Sequence, residues 1–280
     1  MLPKRVFLDQ LPSGQIPTLM VNFQENRREL VDTLAITMVA VYLAQLHRNW
    51  GIMWGAGIQK ALDFIRSRVY EHEIEGFKLW HFNGFYAPDW EDTSFAVFLL
   101  MKNGLLKIAQ LESLRALLLN NTTQQGTGIW VKDPYSSDNA QNNHWDPTSG
   151  LNILRLHYLL ESDKLKRRRV EAFIQQNLTL ERFWGATLYY TPPVAAFFAR
   201  RLAEDFPVST DAIAPALLSF HQAVVKAISR GYLDATPFEK TLVGLPTGEN
   251  DDGLIFHHGR RTVIWYGSPT LHTLARIVLE

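Results

Sequence analysis

Apolar residues recur along most of the chain at three- and four-residue steps, the spacing that sets side chains on one face of an α-helix. Leu30, Leu34, Met38, Val41 and Ala44 form one such series, and Phe95, Phe98, Leu99 and Met101 a denser one. Others are Leu151, Leu154, Leu156, Tyr158 and Leu159, then Val194, Phe197, Phe198 and Leu202, then Leu271, Leu274, Ile277 and Val278. These stretches are apolar on more than one side, which predicts helices buried all round. Segments 58–69, 106–119, 164–177 and 213–229 alternate with them and keep their charges on one side. That pattern predicts outer helices with a solvated face.

Small polar residues or prolines precede most of the inner stretches: Asp32-Thr33, Asp92-Thr93, Asp146-Pro147-Thr148, Thr191-Pro192 and Ser268-Pro269. Such residues cap helix N-termini or fit the first turn, and Asp92 is the expected cap of its helix. Starts recurring at about 45- to 60-residue intervals describe a degenerate helical-hairpin repeat. The expected architecture is all-α: a single (α/α) barrel, approximately (α/α)6, forming one domain over 1–280. Its inner helices would start at one end. The long, aromatic, glycine-bearing loops 80–89 and 126–146 would then form a rim of the kind that carries function.

Composition narrows the chemistry. The 28 basic residues balance 28 acidic ones, so no global field attracts nucleic acid or polyanions. No cysteine is present, which excludes disulfides and thiolate metal sites and favours a reducing, cytoplasmic setting. The N-terminal residues lack the apolar run of a secretory signal. The apolar stretch 30–46 carries Asp32, Thr33, Thr37 and Gln45, so a buried helix is expected there rather than a transmembrane segment. Eight tryptophans, nine tyrosines and sixteen phenylalanines suit a large core and equally a cavity for an apolar ligand.

The cluster Asp89-Trp90-Glu91-Asp92-Thr93 is the densest chemical feature. It has two readings. Acidic residues favour the positive end of a helix, which makes a plain cap. Three carboxyls within four residues, beside an aromatic cavity, also favour retention of a proton on one of them, which makes a general acid.

The cluster resembles the Asp-x-Asp-Asp-Thr signature of class II terpene cyclases, the squalene–hopene and copalyl-diphosphate type, which protonate an alkene or epoxide to start a carbocation cascade. Gln124-Gln125-Gly126-Thr127-Gly128-Ile129-Trp130 resembles the tail of the Gln–Trp repeat of triterpene cyclases. Tyr189-Tyr190-Thr191-Pro192-Pro193 and Trp265-Tyr266-Gly267-Ser268-Pro269 resemble late segments of single-domain relatives, of the merosterolic acid synthase or drimenol synthase kind. The resemblance implies cyclisation of a linear, apolar polyprenyl substrate, with a prenylated aromatic acid among the candidates, and with no cofactor and no metal. It puts Glu91 in the place of the family's proton donor, with Asp89 and Asp92 in the flanking acidic places. The family has Asp in that middle place, so Asp92 stands as the alternative donor. Aromatic faces would stabilise the cation, and Trp80, Phe85, Tyr86, Phe95, Trp130, Trp145, Trp184, Tyr190, Trp265 and Tyr266 are the candidate wall.

His144 is a candidate proton relay to the acid, with a loop cap as the plainer reading. His257-His258 near Asp251-Asp252 reads as a surface loop rather than a metal site, and Asn250-Asp251-Asp252-Gly253 lacks the last acid of a magnesium-binding run. The basic run Lys164-Leu165-Lys166-Arg167-Arg168-Arg169 reads as a solvated helix face, with peripheral contact to lipid headgroups as the second reading. Arg260-Arg261 is a candidate carboxylate clamp. Two other functions stay open at this level: a glycoside-active α/α-barrel enzyme and a non-catalytic prenyl-lipid binding protein.

Overall fold

The computed structural model of the chain describes residues 7, 9–82, 88–131, 144–257 and 264–279. Phe85, Tyr86, His258, Arg260 and Arg261 lie outside the described residues. In chain order the elements are β1 (Thr18–Asn22), β2 (Arg27–Val31), α1 (Ala35–Leu46), α2 (Trp50–Ser67), α3 (Trp90–Lys102), α4 (Glu112–Asn121), β3 (Thr122–Thr123) and β4 (Gly126–Thr127). They continue with α5 (Pro147–Leu159), α6 (Lys164–Asn177), α7 (Leu180–Ala186), α8 (Pro192–Asp205), α9 (Ala214–Ser229), α10 (Pro237–Leu242), β5 (Leu254–His257), β6 (Ile264–Gly267) and α11 (Pro269–Leu279). The inner stretches read from periodicity become α1, α3, α5, α8 and α11, and the outer ones α2, α4, α6 and α9. Among the described residues no helix is long and apolar enough to cross a membrane.

The chain divides into two compact units, each assembled from segments distant in sequence. The first comprises Met1–Arg68, Leu188–Val194 and Val224–Glu280. Within it α1 packs against α2 and α11, and α10 against α11. Every α1 residue from Ile36 to Gln45 is buried, as the all-round apolar pattern requires. A four-stranded antiparallel sheet, in the order β2-β1-β6-β5, accompanies the helices. The sequence reading did not foresee it. Leu30, counted as the first position of a helix, lies in β2 and is 71% exposed, and α1 starts at Ala35. Asp32 and Thr33 do not cap α1; Asp32 pairs with Arg68, and the Thr33 hydroxyl bonds that of Thr18 at 2.9 Å.

Two glycines let the chain close at the end of this sheet. A Cβ on Gly253 (φ +62°) would lie 2.0 Å from Ser268 O, and one on Gly267 would lie 2.2 Å from Gly253 O. Gly253→Ala is therefore expected to destabilise the protein by roughly 2–4 kcal/mol, from positive-φ strain and overpacking together. An unchanged thermal midpoint would contradict this contact.

The second unit comprises Val69–Thr187 and Ala195–Ala223. In it α3 packs against α5, α5 against α6, and α6 against α7 and the short β3–β4 hairpin. α3 and α5 are buried along almost their whole length, whereas α6 buries only Val170 and Ile174. Two residues of the basic run have local partners: Lys166 Nζ donates to Thr122 O (2.8 Å), and Arg167 pairs with Glu171 (3.4 Å). Deeper in the unit, Arg155 is wholly buried and pairs with Asp205 at 3.1 Å. Its guanidinium lies 4.5 Å over the Phe98 ring and 5.5 Å from that of Phe95. A charge at that depth persists only with such partners.

Candidate active site

The acidic cluster forms the start of α3, inside the second unit. Asp89 is the N-cap: its backbone is extended (φ −127°, ψ 157°) and its Oδ1 accepts from Asp92 N–H at 2.6 Å. This corrects the expectation that Asp92 caps the helix. Asp92 sits in the first turn, where its backbone N–H is one of the orphan donors a cap must satisfy.

Loops distant in sequence close on this turn. Trp90 N–H donates to Ile129 O (2.7 Å), Asp89 N–H to Trp80 O (3.2 Å), and Ile129 N–H to His144 O (2.9 Å). The Thr93 hydroxyl accepts from Trp80 N–H (3.0 Å) and donates to Trp80 O (3.3 Å). Trp90, absent from the sequence candidates, is fully buried beneath the cluster.

α5 begins beside α3 with the same device. Asp146 caps it, accepting from Thr148 N–H (2.8 Å) and Ser149 N–H (3.1 Å), with Pro147 in the first turn. Its other oxygen accepts from Thr187 Oγ1 at 3.0 Å. From α5, Ser149 Oγ donates to Glu91 Oε2 at 2.5 Å and Asn152 Nδ2 donates to Glu91 Oε1 at 3.2 Å. Sequence reasoning missed both residues. The available signal was two small polar side chains, three residues apart, on a helix read as apolar all round.

The three acids differ in surroundings. Asp89 and Asp92 are buried, at 4% and 6% exposure, and Glu91 is half-buried. Burial lifts Asp92 from the ordinary carboxylate range to about 7, with its hydrogen bond to Asp89 pulling the other way. Asp89 is lifted well above that range by burial first, then by the negative charges of Asp92 and Glu91, against the hydrogen bond from the Asp92 backbone. The two carboxyls share a hydrogen bond and titrate as a pair. A rise of this size corresponds to roughly 4 kcal/mol, whereas a helix N-terminus favours the anion by only ~0.3–1 kcal/mol. Desolvation therefore wins over the dipole, and the pair retains a proton near neutrality.

The aromatic candidates fall into three groups. Trp80 and Phe95 are buried in the unit that holds the acids, and Phe95 sets its ring edge-on to Phe198 (6.0 Å). Trp130 and Trp145 are half-buried there, and Asp89 pairs with Trp130 as an isolated antiparallel bridge. Trp145 also lines a pocket of about 470 Å³ with Gln124, Gln125, Arg169 and Phe173; no acid of the cluster borders it. Trp184 is 54% exposed, with its ring edge on Phe183, so it does not belong to a buried wall. Tyr190, Trp265 and Tyr266 lie in the first unit, the last two in β6. His144 is exposed, and it is its backbone carbonyl, not its ring, that bonds into the loop network at Ile129.

The other described candidates lie in the first unit. His257 is buried against Trp265, with ring centroids 4.8 Å apart. Asp251 accepts from Gly253 N–H (2.8 Å), and Asp252 pairs with Arg28 (3.0 Å). No cluster of three metal-ligating side chains occurs among the described residues.

No family model matches the chain, and no curated protein matches it. Among solved structures it is similar to the type II terpene cyclase MstE from Scytonema, a variant in complex with its product merosterolic acid A. The identity is 15% and the TM-score 0.54, over 86% of this chain and 70% of that one. At that identity the likeness carries the fold. This mostly helical chain, in which a small sheet is present, has the α/α-barrel fold of a type II terpene cyclase.

Proposed function

We propose that the chain is a class II terpenoid cyclase, which starts a carbocation cyclisation by protonating the terminal alkene of a linear polyprenyl compound. The observation that carries this reading is the Asp89–Asp92 pair, two buried, hydrogen-bonded carboxyls that keep a proton near neutral pH. An alkene is a very weak base, so the acid must be protonated, dry and fixed in aim. The flank of Phe95, Ala96, Val97 and Phe98 keeps the first turns of α3 dry.

In the first step the O–H bond of the pair breaks and a C–H bond forms at the less substituted alkene carbon. The tertiary cation left behind is attacked by the next alkene, and the pair carries the negative charge until it is reprotonated. The π-faces of Trp80, Phe95, Trp130 and Trp145 are the candidate cation stabilisers, each contributing ~0.5–2 kcal/mol according to its desolvation.

The test is incubation of the purified protein with farnesyl- and geranylgeranyl-bearing substrates, followed by product analysis. Chains ending in a carboxylic acid belong in the set, because the similar solved cyclase holds merosterolic acid A. Cyclised product from wild type, and none from Asp92→Asn, is the expected result. Equal cyclisation by Asp92→Asn, or ligand retention without turnover, contradicts the proposal.

A further inference from the structure

We infer that the pocket between α6 and the β3–β4 turn is a second ligand site, built to take a flat aromatic ring that bears one carboxylate. The site stands independently of the cyclase reading, and no acid of the cluster borders it.

The pocket lies wholly within the second unit. Its volume, about 470 Å³, falls inside the ~300–1,000 Å³ range of small-molecule sites. Three segments build it. Arg169, Phe173 and Gln176 follow one another at helical spacing on α6 and share one face. Gln124 and Gln125 come from the turn between β3 and β4, and Trp145 directly precedes the Asp146 cap of α5. The hairpin is fixed against the helix. Gly126 (φ +104°) approaches so closely that a Cβ there would lie 3.7 Å from both Phe173 Cβ and Val170 Cα. Thr123 Oγ1 donates to Gly126 O (3.0 Å), and the Lys166 ammonium ties β3 to α6 through Thr122 O. A pocket with such walls is largely formed before its ligand arrives, which lowers the cost of binding.

The lining selects the occupant. Trp145 and Phe173 are half-buried and offer ring faces, on which another aromatic ring stacks. Arg169 is half-buried and has no hydrogen bond, ion pair or ring contact among the described residues. Its neighbours are engaged elsewhere: Arg167 pairs with Glu171 and lies 5.4 Å over the Tyr158 ring, and Arg182 of α7 donates to Gln176 O (3.2 Å). No acidic side chain borders the pocket, so Arg169 gives it a positive charge. The planar guanidinium fork matches the two oxygens of a carboxylate. The carboxamides of Gln124, Gln125 and Gln176 add N–H donors for the same oxygens or for ring substituents. An uncharged sugar would leave Arg169 without a counter-charge, and a bare phosphate would leave both ring faces in water.

Calorimetric titration of the full chain with 2-naphthoate, glucuronate and inorganic phosphate tests the site. The expected result is saturable binding of one 2-naphthoate, at least about tenfold tighter than glucuronate or phosphate. Arg169→Gln is expected to weaken 2-naphthoate by roughly tenfold or more, as the loss of a charge-assisted contact implies, and Phe173→Ala to weaken it several-fold. Arg168→Gln, a change at an exposed residue of α6 that does not border the pocket, should leave binding as in wild type. Thermal midpoints of the variants near that of wild type show that lost binding is not lost folding.

No saturable 2-naphthoate binding, or binding unchanged by both Arg169→Gln and Phe173→Ala, would overturn the site. Glucuronate or phosphate bound as tightly as 2-naphthoate would overturn the ligand class. None of these results requires turnover, so failure of every polyprenyl substrate to react would overturn the cyclase reading alone.

Discussion

Asp92→Asn is expected to abolish cyclisation and, in the same molecule, to stabilise the fold near neutral pH. Loss of a general acid commonly lowers a rate ~10²–10⁴-fold, and a step that begins with proton transfer to an alkene has little background rate to fall back on. The stability gain follows from linkage. Asp92 titrates at about 7 in the folded protein, above the ~3.9 of an unfolded aspartate. Below about pH 4 both states hold the proton, and the contribution of Asp92 to stability is fully present. Between about pH 4 and 7 the unfolded state ionises first, so that stability is lost as pH rises through the folded value. Asparagine titrates in neither state. The variant is therefore expected to exceed wild type by on the order of 2–4 kcal/mol at pH 7 and to match it near pH 4. Urea denaturation at the two pH values checks this, and an equal difference at both would contradict a protonated buried Asp92.

Arg155→Ala is expected to produce the largest loss of stability, about 3–5 kcal/mol, by leaving Asp205 without its buried counter-ion and a gap over Phe98. The side chain is wholly buried, its partner carboxylate 3.1 Å away and 15% exposed. Replacing both partners with apolar residues, Arg155→Met with Asp205→Leu, is expected to recover most of that loss. If the double variant is as unstable as Arg155→Ala, packing rather than charge explains the effect.

The helical frame was legible because inner and outer helices differ in how far round their apolar residues extend, and that difference survives in one sequence. The sheet was not. Its strands are four or five residues long, and β1 finds one of its partners, β6, at the far end of the chain. β2 is largely exposed and carries only a short alternation, which the helical spacing of Leu30 with Leu34 obscured.

The acidic cluster was legible as a place but not as a set of roles. Asp89 and Asp92 are equally good capping residue types, and the extended backbone at Asp89 decides between them. Burial separates the acids further, and no local pattern reports it. Ser149 and Asn152 lie 58 and 61 residues from Glu91, so only the packing of α5 on α3 brings them together. The same packing weakens a glycoside-cleaving reading, which needs two free carboxyls from different loops. Among the described residues of the loop before α5 the carboxyl is that of Asp146, which is buried and has its oxygens bonded to Thr148, Ser149 and Thr187.

The most direct test of a proton delivered from the Asp89–Asp92 pair is cyclisation carried out in deuterated water, with the product examined for the site of label. The account predicts one deuterium on the ring carbon that was the less substituted carbon of the terminal alkene, and no product from Asp92→Asn. A cyclised product without solvent deuterium at that carbon, or one formed unchanged by Asp92→Asn, would contradict it.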